Sequence, residues 1–267
     1  MTMWRPATAR RWSRWGLSLL LVLQLAACAT GGKDVVTSSD ESGTQKRARI
    51  RLELASAYFS QGQNATALDE VKQAIAADSS LGAAYNLRGL IYANMSEDKL
   101  AEGSFRQALQ LDAADTSAMH NYGWFLCQRG RYDDAQSLFR QALAQPKHRD
   151  SVQTQLAQGV CLARASRLPE AEVALLKTYE LDPSNPATAT NLADVLYRRK
   201  KFERARFYVR RVNNVSELAN PETLWLAARI EQKLGNRNGV AEFGNQLRNR
   251  FPRSREAILY ERGQFNE

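Results

Sequence analysis

The sequence predicts an all-α protein, built as a stack of six helix-turn-helix units, and two observations lead to this prediction. From residue 48 onward, one small residue per unit recurs in the first helix at spacings of 34, 34, 36, 34 and 35 residues. A second small residue follows 12 positions later, after a Gly or a polar turn. A unit of this size cannot bury its apolar face alone, so neighbouring units have to stack.

The small residues allow the two helices of a unit to approach closely. In the first helices they are Ala55, Gly89, Gly123, Gly159, Ala193 and Ala228. In the second helices they are Ala67, Ala101, Ala135, Ala171, Ala205 and Val240. Gly62, Gly130 and Gly235 stand where the first helix of a unit must end, because Gly accepts the left-handed backbone of a helix C-terminus.

The pattern resembles the tetratricopeptide repeat (TPR), which implies a right-handed superhelix. Copy two has Tyr85, Gly89, Tyr92, Ala101, Phe105 and Ala108 at the signature positions. The predicted repeats lie near 48–81, 82–115, 116–149, 152–185, 186–219 and 221–254, and a capping helix is expected at 255–264. Copies five and six depart from the pattern, since Val209 and Val212 replace an aromatic residue and an alanine. Glu231 and Gly244 stand at the usual Tyr and Phe places, so these copies are expected either to pack loosely or to make contacts outside the stack.

The N-terminus has the three parts of a lipoprotein signal peptide at residues 1–27. Four arginines precede the apolar run 17–26, which is too short to span a bilayer comfortably. The run ends in Leu25-Ala26-Ala27-Cys28, the form of a lipobox, which predicts that Cys28 is acylated after cleavage. Acyl chains anchor durably because each buried methylene contributes about 0.8 kcal/mol. The alternatives are a signal peptide that ends in Cys by chance and a membrane-anchored cytosolic protein.

Several consequences follow from a lipidated Cys28. Ala29 is not Asp, which favours the periplasmic face of the outer membrane. Residues 28–47 are rich in Gly, Ser and Thr and predict a flexible tether. Loss of Arg5, Arg10, Arg11 and Arg14 leaves 33 basic and 28 acidic residues, so the net charge falls to about +5. We therefore expect no nucleic-acid partner.

The remaining cysteines, Cys127 and Cys161, lie at nearly the same level of the first helices of copies three and four. An oxidising compartment favours a disulfide that staples the two units. The alternative is two unpaired small apolar residues in a packed seam.

The sequence contains no phosphate loop, nucleophile elbow or HExxH motif, and it is predicted not to be an enzyme. His120 and His148 lack carboxylate or Cys support at helical spacing, so no metal or other cofactor is expected. His120 is interpreted as a groove contact and His148 as a surface residue.

The positive charge is concentrated near the C-terminus. Residues 186–255 contain fifteen Lys and Arg against six Asp and Glu. The predicted basic patch comprises Arg198, Arg199, Lys200, Lys201, Arg210 and Arg211. It is either a solvated face or a docking site for anionic lipid, an acidic protein or peptidoglycan.

TPR proteins bind peptides or partner helices along the concave face of their first helices. The positions predicted to line this groove are Leu52, Ser56, Phe59, Asn86, Leu90, Asn94, His120, Trp124 and Gln128, followed by Leu156 and Val160. The alternative for the apolar members is that they merely pack between units.

A lipobox, a short tether, six TPRs, the stretch 121–127 (NYGWFLC) and a second cysteine one repeat later resemble the type IV pilus biogenesis and stability lipoprotein family called PilW or PilF. The resemblance implies a monomeric outer-membrane pilotin that binds the pilus secretin subunit, promotes its localisation or multimerisation, and supports fibre stability. The first two or three units are the expected binding region. The alternatives are a TPR lipoprotein of another envelope machine, such as a tight-adherence pilus or a cell-wall synthase regulator, and an enzyme or cell-wall-binding module.

Overall fold

Thirteen α-helices and no strand make up the described part of the chain, which in this computed structural model comprises Met1 and residues 42–146, 148 and 150–266. In chain order the helices are α1 Gly43–Ser60, α2 Asn64–Ala77, α3 Gly82–Asn94, α4 Asp98–Leu111, α5 Thr116–Gln128, α6 Tyr132–Leu143, α7 Ser151–Arg164, α8 Leu168–Leu181, α9 Pro186–Arg198, α10 Phe202–Asn213, α11 Pro221–Lys233, α12 Arg237–Arg250 and α13 Arg255–Glu261. Cys28, the predicted signal peptide and most of the tether lie outside these residues. None of these helices is both long enough and apolar enough to cross a membrane.

The first twelve helices form six pairs, and the pairs stack in chain order. From α3 to α11, the first helices of neighbouring units contact each other. Second helices contact the first helix of the next unit. Three clusters of buried apolar side chains fill the space between them. The predicted all-α TPR architecture is confirmed.

The small residues of the repeat give room to large side chains of the partner helix. A Cβ placed on Gly89 would lie 2.7 Å from the ring of Phe105, and one on Gly123 would lie 2.9 Å from the ring of Phe139. The Phe105 ring also stacks on Tyr122 of the next unit, with centroids 5.5 Å apart. Aromatic side chains therefore fill the gaps between units as well as within them.

The turn between the two helices of a unit requires a left-handed backbone residue. Gly62 and Gly130 have φ of +75° and Gly235 has φ of +71°, as the sequence predicts. The other three units place non-glycine residues there, namely Ser96, Ser166 and Lys200, with φ of 63°, 59° and 61°. The turn geometry is thus common to all six units although the residue is not.

Two predicted boundaries are wrong. The first helix begins at Gly43, so residues 43–47 are helical and not part of the tether. The capping helix α13 ends at Glu261 and not at 264. In unit six the predicted register holds, since Val240 and Gly244 lie five and nine residues after the left-handed Gly235, as Ala135 and Phe139 lie after Gly130. Gly244 lies against the Tyr260 ring of α13.

Units five and six do not pack loosely. Val209 and Val212 are buried. The side chain of Glu231 is also buried, at 1% exposure. The departures from the repeat pattern in these units are accommodated by smaller apolar side chains and by ion pairing.

Candidate functional site

First helices of three consecutive units enclose a surface hollow of about 390 Å³. Apolar, amide and imidazole groups line it, and four of the seven lining residues were among the predicted groove positions. The lining residues are His120 and Trp124 of α5, Gln153, Leu156, Ala157 and Val160 of α7, and Asn191 of α9. The hollow thus lies in units three to five, and not in the first two or three units.

The imidazole of His120 is held in place by a buried hydroxyl. Its Nδ1 lies 2.9 Å from Oγ1 of Thr154, which is fully buried, and Nε2 of His148 lies 2.8 Å from the same oxygen. Burial lowers the pKa of His120 and the neighbouring His148 lowers it further, while Asp150 acts in the opposite direction. The hollow therefore presents a neutral imidazole at neutral pH. His148 is not a plain surface residue, since it is half-buried and shares the hydroxyl with His120.

Trp124 is the largest side chain that lines the hollow, and it is half-buried. The guanidinium carbon of Arg164 lies 5.0 Å from its ring centroid. Leu156 and Val160 complete the apolar wall, while Gln153 and Asn191 supply side-chain amides. This chemistry suits a peptide, because an apolar wall can accept a side chain and the exposed amide of Gln153 can bond to a backbone group. Nδ2 of Asn191 already donates to the carbonyl oxygen of Ala187 at 2.8 Å.

The other predicted groove positions do not share one role. Leu52 and Phe59 are half-buried against the core cluster of units one and two, and Leu90 packs against the core cluster of units two to four. Asn86 is buried and accepts a hydrogen bond from Nδ2 of Asn121 at 3.1 Å, so it joins two units and is not available to a ligand.

Among the exposed members, Asn94 donates to Oδ1 of Asn64 at 3.1 Å. Ser56 and Gln128 are exposed. The structure therefore brings together His120, Trp124, Leu156 and Val160, and it leaves the positions from units one and two outside the hollow.

Sequence reasoning missed Gln153, Ala157 and Asn191. Extending the repeat register to copy five would not have found Asn191. The predicted groove positions lie three residues before or at least one residue after the small residue, whereas Asn191 lies two residues before Ala193.

Cys127 of α5 and Cys161 of α7 form a disulfide in the structure, with Cα atoms 5.8 Å apart. The disulfide joins the two helices that carry His120, Trp124, Leu156 and Val160. The opposite walls of the hollow are therefore covalently linked.

The predicted basic patch is not a continuous field of free charge. The buried carboxylate of Glu172 forms ion pairs with Arg199, with Lys201 at 3.0 Å and with Arg204 at 2.6 Å. Burial alone would raise the pKa of Glu172, but the hydrogen bonds from Lys201 and Arg204 outweigh it and hold the pKa below its ordinary value.

Among the other members of the basic patch, some are paired with carboxylates and some are not. Arg210 is paired with Glu231, and Arg198 lies 3.6 Å from Asp194. In the described part of the chain, Lys200 and Arg211 have no carboxylate within ion-pair distance.

The repeat geometry and the groove define a tetratricopeptide repeat protein. A tetratricopeptide repeat family model matches residues 52–118. A model described as the middle TPR-like domain of cilia and flagella-associated protein 70 matches residues 105–226. Within this class, the chain is 26% identical to "Type IV pilus assembly protein PilF" of Pseudomonas aeruginosa, over 91% of this chain and 96% of that protein.

Two solved structures extend the comparison. The chain superimposes on PilW, described as a widely conserved type IV pilus biogenesis factor, with a TM-score of 0.74 and 28% identity, covering 79% of this chain and 96% of that one. The structure of Pseudomonas aeruginosa PilF gives a TM-score of 0.72 at 23% identity, covering 83% of this chain and 100% of that one, and shows the shared fold. Homology to PilF and structural similarity to PilW support the type IV pilus TPR family that the sequence resembles.

Proposed function

We propose that this protein is a non-catalytic TPR scaffold of type IV pilus biogenesis that acts as a pilotin. It binds the secretin subunit, promotes secretin localisation and multimerisation in the outer membrane, and supports pilus stability. The observation that carries this proposal is the hollow formed by His120, Trp124, Leu156 and Val160 in a chain that matches PilF over 91% of its length.

The anchoring part of the proposal rests on the N-terminal sequence. The lipobox 25–28 predicts an acylated Cys28 that holds the chain on the periplasmic face of the outer membrane. Outer-membrane lipid is thus the second partner, and residues 29–42 connect it to α1. A lipid-held scaffold can carry an unassembled secretin subunit to the membrane in which it multimerises.

The test is co-purification of secretin with the full chain from solubilised outer membranes, together with the ratio of secretin multimer to monomer in cells. Leu156→Glu places a charge in the apolar wall, and Gln153→Arg fills the hollow from an exposed position without altering the core. Both variants are expected to lose secretin and to reduce the multimer fraction. Val173→Glu makes the same kind of change at an exposed residue of α8 outside the hollow. This control variant should still co-purify with secretin and should leave the multimer fraction unchanged.

The outcomes separate this proposal from its alternatives. If both hollow variants still co-purify with secretin, then secretin binds elsewhere on the scaffold. Recovery of tight-adherence pilus components or cell-wall synthases without secretin would assign the scaffold to another envelope machine. Full multimer assembly with Cys28→Ala would contradict delivery by the lipid anchor.

A further inference from the structure

The outer side of α10 carries an exposed group of aromatic, basic and aliphatic side chains that the proposed function does not use. The ring of Phe207 is 55% exposed, and Val215 and Leu218 in the turn after α10 are also exposed. Second helices lie on the outer face of a TPR stack, so this group faces away from the peptide groove. We call Phe207, Arg211, Val215 and Leu218 the outer patch.

Arg211 is the centre of the outer patch. It lines one hollow of about 450 Å³ with Phe207 and a second of about 240 Å³ with Val215 and Leu218. Its guanidinium carbon lies 5.8 Å from the Phe207 ring centroid and 5.9 Å from that of Tyr179. The cation is thus held between an aromatic side and an aliphatic side of the same surface.

The arginines around the outer patch are only partly compensated by carboxylates. The hollow beside Phe207 is lined by three arginines, Arg206, Arg210 and Arg211, and by one glutamate, Glu203. Arg206 is paired with Glu203 and Arg210 with the buried Glu231, whereas Arg211 has no carboxylate partner among the described residues. Arg211 therefore places an uncompensated positive charge beside the exposed apolar groups.

We infer that the outer patch docks repeat five on an anionic lipid surface. Basic residues contribute about 1 kcal/mol each near anionic headgroups, while aromatic and aliphatic groups enter the boundary with the acyl chains. An acidic protein segment would account for Arg211 but not for the exposed Phe207, Val215 and Leu218 on both sides of it. The docked orientation leaves the groove of the first helices open.

The experiment uses the full chain in a Cys28→Ser background with an environment-sensitive fluorophore at Asn214→Cys. Asn214 is exposed and lines the hollow beside Phe207, so the reporter lies next to the outer patch without replacing any of its four residues. Ala144→Cys is the matched control, because Ala144 is the exposed C-cap residue of α6 with the same helical backbone as Asn214. Each protein is mixed with vesicles of phosphatidylcholine alone or with added phosphatidylglycerol.

A blue shift and quenching by a lipid-borne quencher are expected at position 214, and not at 144, only with phosphatidylglycerol. Phe207→Ala combined with Arg211→Glu should lower the docked fraction on the order of 10-fold. Arg140→Glu, a charge reversal on α6, should leave it unchanged. Equal responses at both reporters, an equal response in neutral vesicles, or a response to a polyglutamate peptide but not to lipid would overturn the inference. None of these outcomes depends on secretin binding.

Discussion

Nη2 of Arg210 on α10 lies 2.9 Å from Oε1 of Glu231 on α11, and this contact joins unit five to unit six. Nε of the same guanidinium lies 3.0 Å from the same oxygen. The other carboxylate oxygen accepts from Nδ2 of Asn236 at 2.7 Å. A buried carboxylate at a usual tyrosine position is thus compensated by groups from both units.

Removal of Arg210 should therefore destabilise the C-terminal units. We expect Arg210→Met to cost about 2–3 kcal/mol, below the ~3–5 kcal/mol typical of a fully buried pair, since Arg210 is partly exposed and Asn236 remains. Chemical denaturation of the full chain gives the free energy of unfolding. The double variant Arg210→Met with Glu231→Gln should recover part of this loss, and failure to do so would contradict an uncompensated charge as its cause.

Gly89 is required by the ring of Phe105. Gly89→Ala should cost about 1–3 kcal/mol, because its Cβ would overlap the ring in a packed interior. Unit five has Ala193 and Val209 at the equivalent positions, so adding Phe105→Val should relieve part of the overlap. The melting temperatures of the single and double variants measure this, and equal values for both would show that the overlap is not with Phe105.

The disulfide should contribute substantially to stability because it closes a loop of 34 residues. Chain entropy predicts about 3–4 kcal/mol for such a loop. Cys127→Ala with Cys161→Ala should lower the free energy of unfolding by about this amount. Thiol labelling of the unreduced chain is the control, since reactive thiols at both positions would mean that the bond is absent.

Stability should fall on mild acidification because of His120. Its folded-state pKa is lowered, so below the ordinary histidine pKa of about 6.5 the unfolded chain binds more protons than the folded chain. The stability contributed by the neutral ring is present above that pH and is lost as the pH falls towards the folded pKa. Chemical denaturation between pH 7 and pH 5 should show that the free energy of unfolding of the parent chain falls with pH. The decrease should be smaller in His120→Asn. His148→Asn leaves the half-buried His120 ring in place and should keep most of this pH dependence.

The periodicity of small residues predicts the fold well because each unit repeats the same helix contact. The start of α1 is missed because Gly43 and Thr44 resemble linker residues in composition although the helix continues through them.

The site is only partly predictable from sequence. His120 and Trp124 follow from their position in the repeat, but the burial of Asn86 depends on Asn121 of the next unit. The basic patch is overestimated because its partner Glu172 lies 27–32 residues earlier in the chain. Such pairings between units are a property of the stack and cannot be seen in local composition.

The bond between Cys127 and Cys161 also determines how the chain responds to a pulling force. Because it ties α5 to α7, the segment between the two cysteines cannot be drawn out while the bond is intact. This shortens the extensible length by roughly 115 Å, at about 3.3–3.6 Å per residue. Units three and four would then remain joined under tension along the chain, while the flanking units can unfold around them.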